Sequence, residues 1–415
     1  MRTHPVHHRR GHRGLGVALL TLLAWAGSHP VLAQPTAGTG VSLQELLQLP
    51  SWLDFSLDLN AEPLVNAGGL GSSGAWSQQL SIGAAFSSGL GQEKAHWREV
   101  DHWAVNTQLM LFSGRENYGY AIGAAFPLQS TDHPSGLWLT EASLERKRGL
   151  GPLAIKGGLL SLNPDFIDMP VFDLYVHSVL DNTLNITVLG APINPLIAPG
   201  GVATLDLGQA GNLRVGAYWL NAETSLAGLF GVNPQQPTIH GTAQLLQWKF
   251  HNLPGARRLE APIVLGNRQI ERQLPPPLLQ LGALNSATDL QGTNRVVYGA
   301  VNLPLSLPFG LDHRLWAGAN VGLNPANNTA PLFLSGGWVV QGLLRTRPYD
   351  VLALGLGRTS FGPKQSDEGV IELNYNATVN RSLSLGPVIQ LILNPGGTGA
   401  VPSIVAAGLQ FQLSL

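Results

Sequence analysis

The sequence predicts an all-β fold, a transmembrane antiparallel β-barrel of about 16 strands preceded by a short helix. The last eight residues alternate strictly, with Leu409, Phe411, Leu413 and Leu415 on one face and Gln410, Gln412 and Ser414 on the other. Only 12% of the residues are charged, whereas soluble domains contain about 25%, and 50 of the 415 residues are glycine. No run of about 18 apolar residues occurs, so we expect spanning strands and no spanning helices.

The first 33 residues have the features of a secretory signal peptide. Four arginines precede an apolar stretch over residues 15–26, and Val31-Leu32-Ala33 is a small-x-Ala cleavage site. Without this segment, 20 basic residues face 25 acidic ones, a net charge of −5. An acidic chain is repelled by the phosphates of nucleic acids, so we expect no nucleic-acid partner. The chain has no cysteine, which excludes disulfides and thiolate metal sites.

Residues 34–51 are predicted to form a linker and a short helix, and residues 52–415 the barrel. Ser42 is placed as the helix N-cap and Glu45 follows three residues later, the pattern of a capping box. Pro50 ends the helix, and from Trp52 onward the apolar period changes from helical to two.

Alternation and turn residues predict the strands of the barrel wall. The predicted strands are residues 52–60, 76–86, 102–112, 118–126, 136–145, 153–162, 212–220, 242–250, 295–303, 314–323, 336–344, 349–357, 369–379, 385–393 and 408–415. The last strand is expected to pair with the first and so remove the sheet edge.

Two proline-rich segments, residues 163–211 and 253–293, are too long for turns and are predicted to be long loops. One of them could fold inward and narrow a channel, or each could simply cover the mouth. Tryptophans in or beside the strands suit the interfacial girdles of a membrane barrel. These are Trp52, Trp76, Trp103, Trp138, Trp219, Trp248, Trp316 and Trp338.

Strand parity places a set of polar and aromatic side chains inside the barrel, where they are candidates for lining a pore. The candidates are Asp54, Asp58, Glu141, Glu145, Lys156, Arg214, Tyr218, Gln247, Lys249, Glu372, Asn374 and Asn376. Tyr218 could supply an aromatic face under a sugar ring. The alternative for each residue is that it only solvates a water-filled lumen.

The sequence offers no arrangement typical of an enzyme. Asp54 and Asp58 could suggest the paired carboxylates of a glycosidase, but spacing along one strand face favours lumen polarity. We find no Ser–His–Asp pattern, no P-loop and no clustered metal ligands. We therefore expect no catalytic residue, cofactor or metal.

The carboxyl-terminal motifs resemble those of the OprB-type carbohydrate-selective porins. They are Asp350-Val351-Leu352, Glu372-Leu373-Asn374-Tyr375, Leu383-Ser384-Leu385 with Pro387 and Gln390, and Asn394-Pro395-Gly396-Gly397. Residues 157–166, GGLLSLNPDF, resemble the strand that leads into an N-x-D-F corner in this family. Residues 42–63 resemble a cyanobacterial branch, here without a surface-layer-homology domain.

The resemblance implies passive diffusion of sugars or other small hydrophilic solutes across an outer membrane of the Gram-negative type. It also implies lipid and the barrel-assembly machinery as partners, in a monomer or homotrimer. The chain ends in Leu415 where the insertion signal usually has an aromatic residue. An ion- or inorganic-nutrient-selective channel remains an alternative, as does a secreted all-β carbohydrate-binding protein.

Overall fold

Alternating strands form a closed wall in the computed structural model of the chain. The structure describes residues 43, 47–50, 52–87, 102–150, 152–181, 191–221, 240–259, 261–362 and 365–415. The predicted signal peptide and most of the predicted linker and helix lie outside the described residues. Leu43 is helical, and its carbonyl accepts the N–H of Leu47 at 2.8 Å.

Within the described residues, sixteen antiparallel strands close into one barrel, as predicted. The strands are β1 (Leu53–Gly68), β2 (Ser73–Ser87), β3 (His102–Gly114), β4 (Gly136–Leu150), β5 (Leu153–Leu160), β6 (Ala198–Asp206), β7 (Asn212–Asn221), β8 (His240–Phe250), β11 (Leu278–Thr288), β12 (Gly292–Pro304), β13 (Asp312–Gly322), β14 (Leu332–Gln341), β15 (Val351–Ser360), β16 (Glu368–Thr378), β17 (Leu383–Leu393) and β18 (Ile404–Ser414). A separate hairpin, β9 (Ile263–Leu265) with β10 (Arg268–Ile270), lies in the connection from β8 to β11.

Short helical segments interrupt the connections. They are α1 (Tyr118–Ala121), α2 (Ser178–Asp181), a π-helical turn at Asn163–Ile167, and 3-10 turns at Phe172–Leu174, Gly208–Ala210, Ala256–Leu259, Pro325–Asn327 and Pro395–Gly397. None of the helices in the described ranges is both long enough and apolar enough to cross a membrane.

The last strand closes the barrel on the first, as predicted. In the β1–β18 ladder Asp58 lies opposite Ser414 and Asn60 opposite Gln412. This pairing satisfies the backbone groups that a free sheet edge would leave open to other chains. It also leaves no unpaired edge facing lipid, which membrane barrels require.

The outer face of the wall is largely apolar, whereas the inner face carries polar side chains together with buried apolar residues that pack against the loops inside. On β18, Leu409 is exposed on the outside, whereas Gln410 is buried and its side-chain amide donates to Glu62 inside. Trp219 is 66% exposed on the outer face, as expected of an interfacial residue. Trp138 and Trp316 instead face inward and are buried, so they do not belong to a girdle.

One predicted strand was wrong and two strands were missed, so the fifteen predicted ranges become sixteen strands. Residues 118–126 form α1 and turns, because Tyr118 is buried between the wall and a loop, where its hydroxyl donates to Asn66 at 2.7 Å. The predicted loops 163–211 and 253–293 contain two barrel strands, β6 and β11.

Antiparallel alternation gives the barrel two distinct ends. We call the end where β1 begins and β18 ends the near end, and the opposite end the far end. The β3–β4 loop (residues 115–135) and the β5–β6 loop (residues 161–197) leave the wall at the far end. The long β8–β11 connection (residues 251–277) leaves it at the near end.

Candidate functional site in the barrel lumen

The β5–β6 loop enters the lumen and contacts the wall on the side of β5 to β11. The Asp165 carboxylate lies 2.5 Å from Lys156 Nζ and 3.7 Å from the Arg214 guanidinium. The next carbonyl, of Phe166, accepts the side-chain amides of Gln247 at 2.5 Å and Gln280 at 2.7 Å. A buried carbonyl needs such donors once it has left water.

The same loop is also fixed to the opposite side of the wall. The backbone N–H groups of Val176 and His177 each donate to the Glu372 carboxylate at 2.7 Å. The Tyr175 hydroxyl accepts from Trp316 Nε1 at 2.8 Å and donates to the Leu354 carbonyl at 3.0 Å.

The most widely separated anchors, Arg214 on β7 and Glu372 on β16, are nearly diametrically opposed. Around the barrel, six strands separate β7 from β16 in one direction and eight in the other. The β5–β6 loop therefore crosses the lumen from wall to wall and narrows it.

The β3–β4 loop folds inward beside it. Ser130 Oγ and Thr131 Oγ1 donate to the fully buried Glu62 carboxylate at 2.8 and 3.0 Å. The two loops touch, because Ser178 Oγ donates to the Pro127 carbonyl at 2.8 Å. Together they form one inward-folded layer that is hydrogen-bonded to the wall.

A polar cavity of about 360 Å³ lies against the inner faces of β1 to β5, and Lys156 in its lining pairs with Asp165 of the β5–β6 loop. We call it the wall cavity; its polar lining includes Asp54, Asn106, Gln108, Glu141, Glu145 and Lys156. Lys156 Nζ lies 3.6 Å from Glu141 as well as beside Asp165. Three carboxylates and one ammonium group thus line the cavity, so acidic side chains outnumber basic ones there.

Two further acids on the β5–β6 loop, Asp168 and Asp173, have exposed side chains inside the lumen. Enclosure by the surrounding wall raises the pKa of Asp168 to about 6, although the nearby Lys249 ammonium opposes the shift. Enclosure, followed by the charge of Asp168, raises the pKa of Asp173 to about 7. Their charge therefore depends on pH in the physiological range.

All twelve predicted side chains lie on the inner face of the wall, but in different surroundings. Asp54, Glu141, Glu145 and Lys156 share the wall cavity, whereas Arg214, Tyr218, Gln247 and Lys249 lie beside the first part of the β5–β6 loop. Glu372 and Asn374 are buried beneath its second part, Asp58 lies near the near-end opening, and Asn376 is buried on the same face. Pore lining stays a prediction for each.

The sequence did not indicate several side chains that face the lumen. Glu62 continues the inward parity of β1, so a longer reading of that strand would have found it. Asp165, Asp168 and Asp173 lie on a loop, where no strand period marks an inward side chain. Among the residues described, no group of three or more His, Asp or Glu side chains is arranged to hold a metal ion.

Comparison with known families agrees with this geometry. Residues 97–415 match the family model of the carbohydrate-selective porins, OprB family. The chain belongs to the OprB family. It is therefore an outer-membrane porin, and the closed barrel is the fold expected of one. A search of curated proteins found no match.

A solved OprB structure shares the barrel fold. The high-pH structure of Pseudomonas putida OprB is 19% identical with a TM-score of 0.69, covering 90% of this chain and 96% of that one. The low-pH structure of the same protein is 16% identical with a TM-score of 0.49, covering 90% and 95%. A mutant of Rh. blastica porin is 8% identical with a TM-score of 0.45, covering 87% and 100%.

Proposed function

We propose that this OprB-family chain passes neutral sugars and other small hydrophilic solutes by passive diffusion, and that it catalyses no reaction. The observation that carries the proposal is the β5–β6 loop, which is fixed to both sides of the barrel and has beside it a polar cavity that we assign to the passage for solutes. Selectivity in such a passage comes from its width and from the groups that line it.

The lining supports a route for hydroxyl-rich solutes. Asn106 and Gln108 offer both donors and acceptors, and the carboxylates of Glu141 and Glu145 accept hydrogen bonds from hydroxyl groups. A sugar can exchange its water for these groups without a large desolvation cost. Movement then follows the concentration gradient and needs no moving part.

Ion conduction is the second candidate, and the lumen charge favours cations. Asp54, Glu141, Glu145, Asp168 and Asp173 exceed the lumen cations in number. The cations beside these acids are Lys156, Arg214 and Lys249. We expect small cations to pass with the sugars and anions to be disfavoured.

The setting in the envelope follows from the family. We propose that the far end, with its two inward-folded loops, faces outside, and that the near end faces the periplasm. Insertion would use the barrel-assembly machinery after signal-peptide export, giving a monomer or a homotrimer. A cyanobacterial source is part of the same proposal.

Liposome swelling tests the proposed function. Purified protein would be reconstituted and challenged with a series of neutral saccharides from monosaccharide to tetrasaccharide, with protein-free liposomes as the control. We expect the swelling rate to fall steeply with solute size. Clear ion conductance without swelling in any saccharide would favour the ion-channel alternative instead.

A further inference from the structure

A second polar cavity of about 330 Å³ lies at the near end of the lumen. The inner faces of β1, β2, β17 and β18 form one side of it, and the β8–β11 connection contributes Gln273. We call it the mouth cavity, and its lining includes Asp58, Gln79, Gln273, Arg381, Ser384 and Gln412. None of these residues lines the wall cavity.

The chemistry of the mouth cavity differs from that of the wall cavity. Side-chain amides are the most numerous polar groups in the lining, and Asp58 and Arg381 supply one charge of each sign. Within the described part of the chain, neither the Asp58 carboxylate nor the Gln273 side-chain amide bonds to another protein group. These two groups are therefore available to a solute. Amides that both donate and accept suit saccharide hydroxyls, which do the same.

Gln273 is held rigidly at this position. Its backbone N–H donates to Gln341 Oε1 at 2.8 Å, and the Gln341 amide donates to the Glu271 carbonyl at 2.8 Å. On either side, Arg272 pairs with Asp312 at 2.7 Å and Leu274 is buried in the core.

The chain that follows Gln273 is also fixed. Pro275, Pro276 and Pro277 come next, and proline has a restricted φ angle. The Pro275 carbonyl accepts from Arg314 Nε at 3.1 Å, and the Arg314 side chain is fully buried. The backbone that carries the Gln273 side chain therefore needs no ordering when a solute binds.

We propose that the mouth cavity is a second saccharide site, which holds a neutral mono- or disaccharide between Gln273 and the β1–β18 wall. This inference rests on the proposed sugar-porin function and adds a binding site to it. The cavity volume is at the lower end of the range for small-molecule sites, about 300–1,000 Å³, which suits a ligand of this size.

The test is sugar-induced reduction of single-channel current in planar bilayers, with maltose and glucose as probes added from either side. Wild-type protein should show a saturable reduction. Gln273→Ala and Gln79→Ala should each weaken the apparent affinity roughly two- to tenfold, the equivalent of one neutral hydrogen bond. Unaltered mobility in unboiled gels would show that each variant is folded.

Gln78→Ala is the matched control, because Gln78 neighbours Gln79 on β2 but faces outward, where it donates to Ser113 at 2.8 Å. Its affinity for both sugars should equal that of wild type. Equal affinity in Gln273→Ala, Gln79→Ala and wild type would overturn the second site. The second site would also be overturned if neither sugar reduced the wild-type current in a saturable manner. Liposome swelling reports the proposed function separately, since sugars can pass without binding at the mouth.

Discussion

Removal of the Glu372 carboxylate should release the β5–β6 loop from one side of the lumen. Glu372 is fully buried and accepts the backbone N–H groups of Val176 and His177. Asn374 and Gln390 donate to the same carboxylate at 2.6 and 2.9 Å. In Glu372→Ala the two backbone donors lose their acceptor while the loop remains in place.

The size of the effect follows from those two donors. A buried donor left without a partner costs about 1–3 kcal/mol, so the anchored loop loses on the order of 2–6 kcal/mol. Because 1.4 kcal/mol corresponds to a factor of ten, the ratio of released to anchored loop should rise at least roughly 25-fold. The other anchors, such as the Tyr175 hydroxyl on Leu354, remain.

Single-channel recording and liposome swelling measure the consequence. Glu372→Ala should have a higher and noisier conductance, and it should admit larger saccharides than wild type. Glu368→Ala is a matched control on the same strand face, because Glu368 accepts the N–H groups of Ala125 and Gly396 in other loops. Unchanged conductance in Glu372→Ala, or an equal change in the control, would refute this account of the loop.

Three further predictions concern the lumen charge and the second loop anchor. Lys156→Gln removes the cation paired with Asp165, so the reversal potential in a salt gradient should shift toward stronger cation preference. An unchanged reversal potential would contradict the position of Lys156 in the lumen. Lowering the pH from 8 to 5 should weaken cation preference, because Asp168 and Asp173, with pKa values of about 6 and 7, take up protons; a preference that stays flat over this range would argue against them. Tyr175→Phe removes the hydrogen bonds between the phenolic hydroxyl and the wall, which lowers the stability of the anchored loop by about 1–3 kcal/mol. Amide hydrogen exchange in the loop should therefore be faster than in wild type. Exchange as slow as in wild type would count against this anchor.

The wall was predictable because lipid outside and water inside impose a period of two on every strand. That period correctly placed the inward side chains and the closing pair of β1 and β18. It failed for β6, where Pro199, Gly200 and Gly201 interrupt the alternation of apolar and polar side chains. A Cβ at Gly200 would lie 2.6 Å from the Tyr218 ring, so the sequence there reads as a loop.

The anchoring of the loops could not be read from the sequence. Val176 and its acceptor Glu372 are 196 residues apart, and the donor is a backbone group that carries no sequence signal. Glu372 therefore lies buried beneath the loop, and its role in lining the pore stays a prediction. Asp173 escaped for a related reason, since its place in the lumen depends on how the loop folds.

A disulfide between the β5–β6 loop and β15 tests the central claim most directly, namely that solutes pass while the loop stays anchored. A Cβ at Gly357 would lie 3.0 Å from Val179 Cγ1. The two Cβ atoms are therefore at most about 4.5 Å apart, within disulfide range. The chain has no cysteine of its own, so Val179→Cys with Gly357→Cys gives one defined bridge.

The measurement is monosaccharide-driven swelling of liposomes that contain the bridged double variant, compared with the same protein after reduction. The account predicts that the bridge forms in the folded protein and that both states swell at the same rate. A bridged protein that no longer admits the monosaccharide, or cysteines that never join, would contradict it.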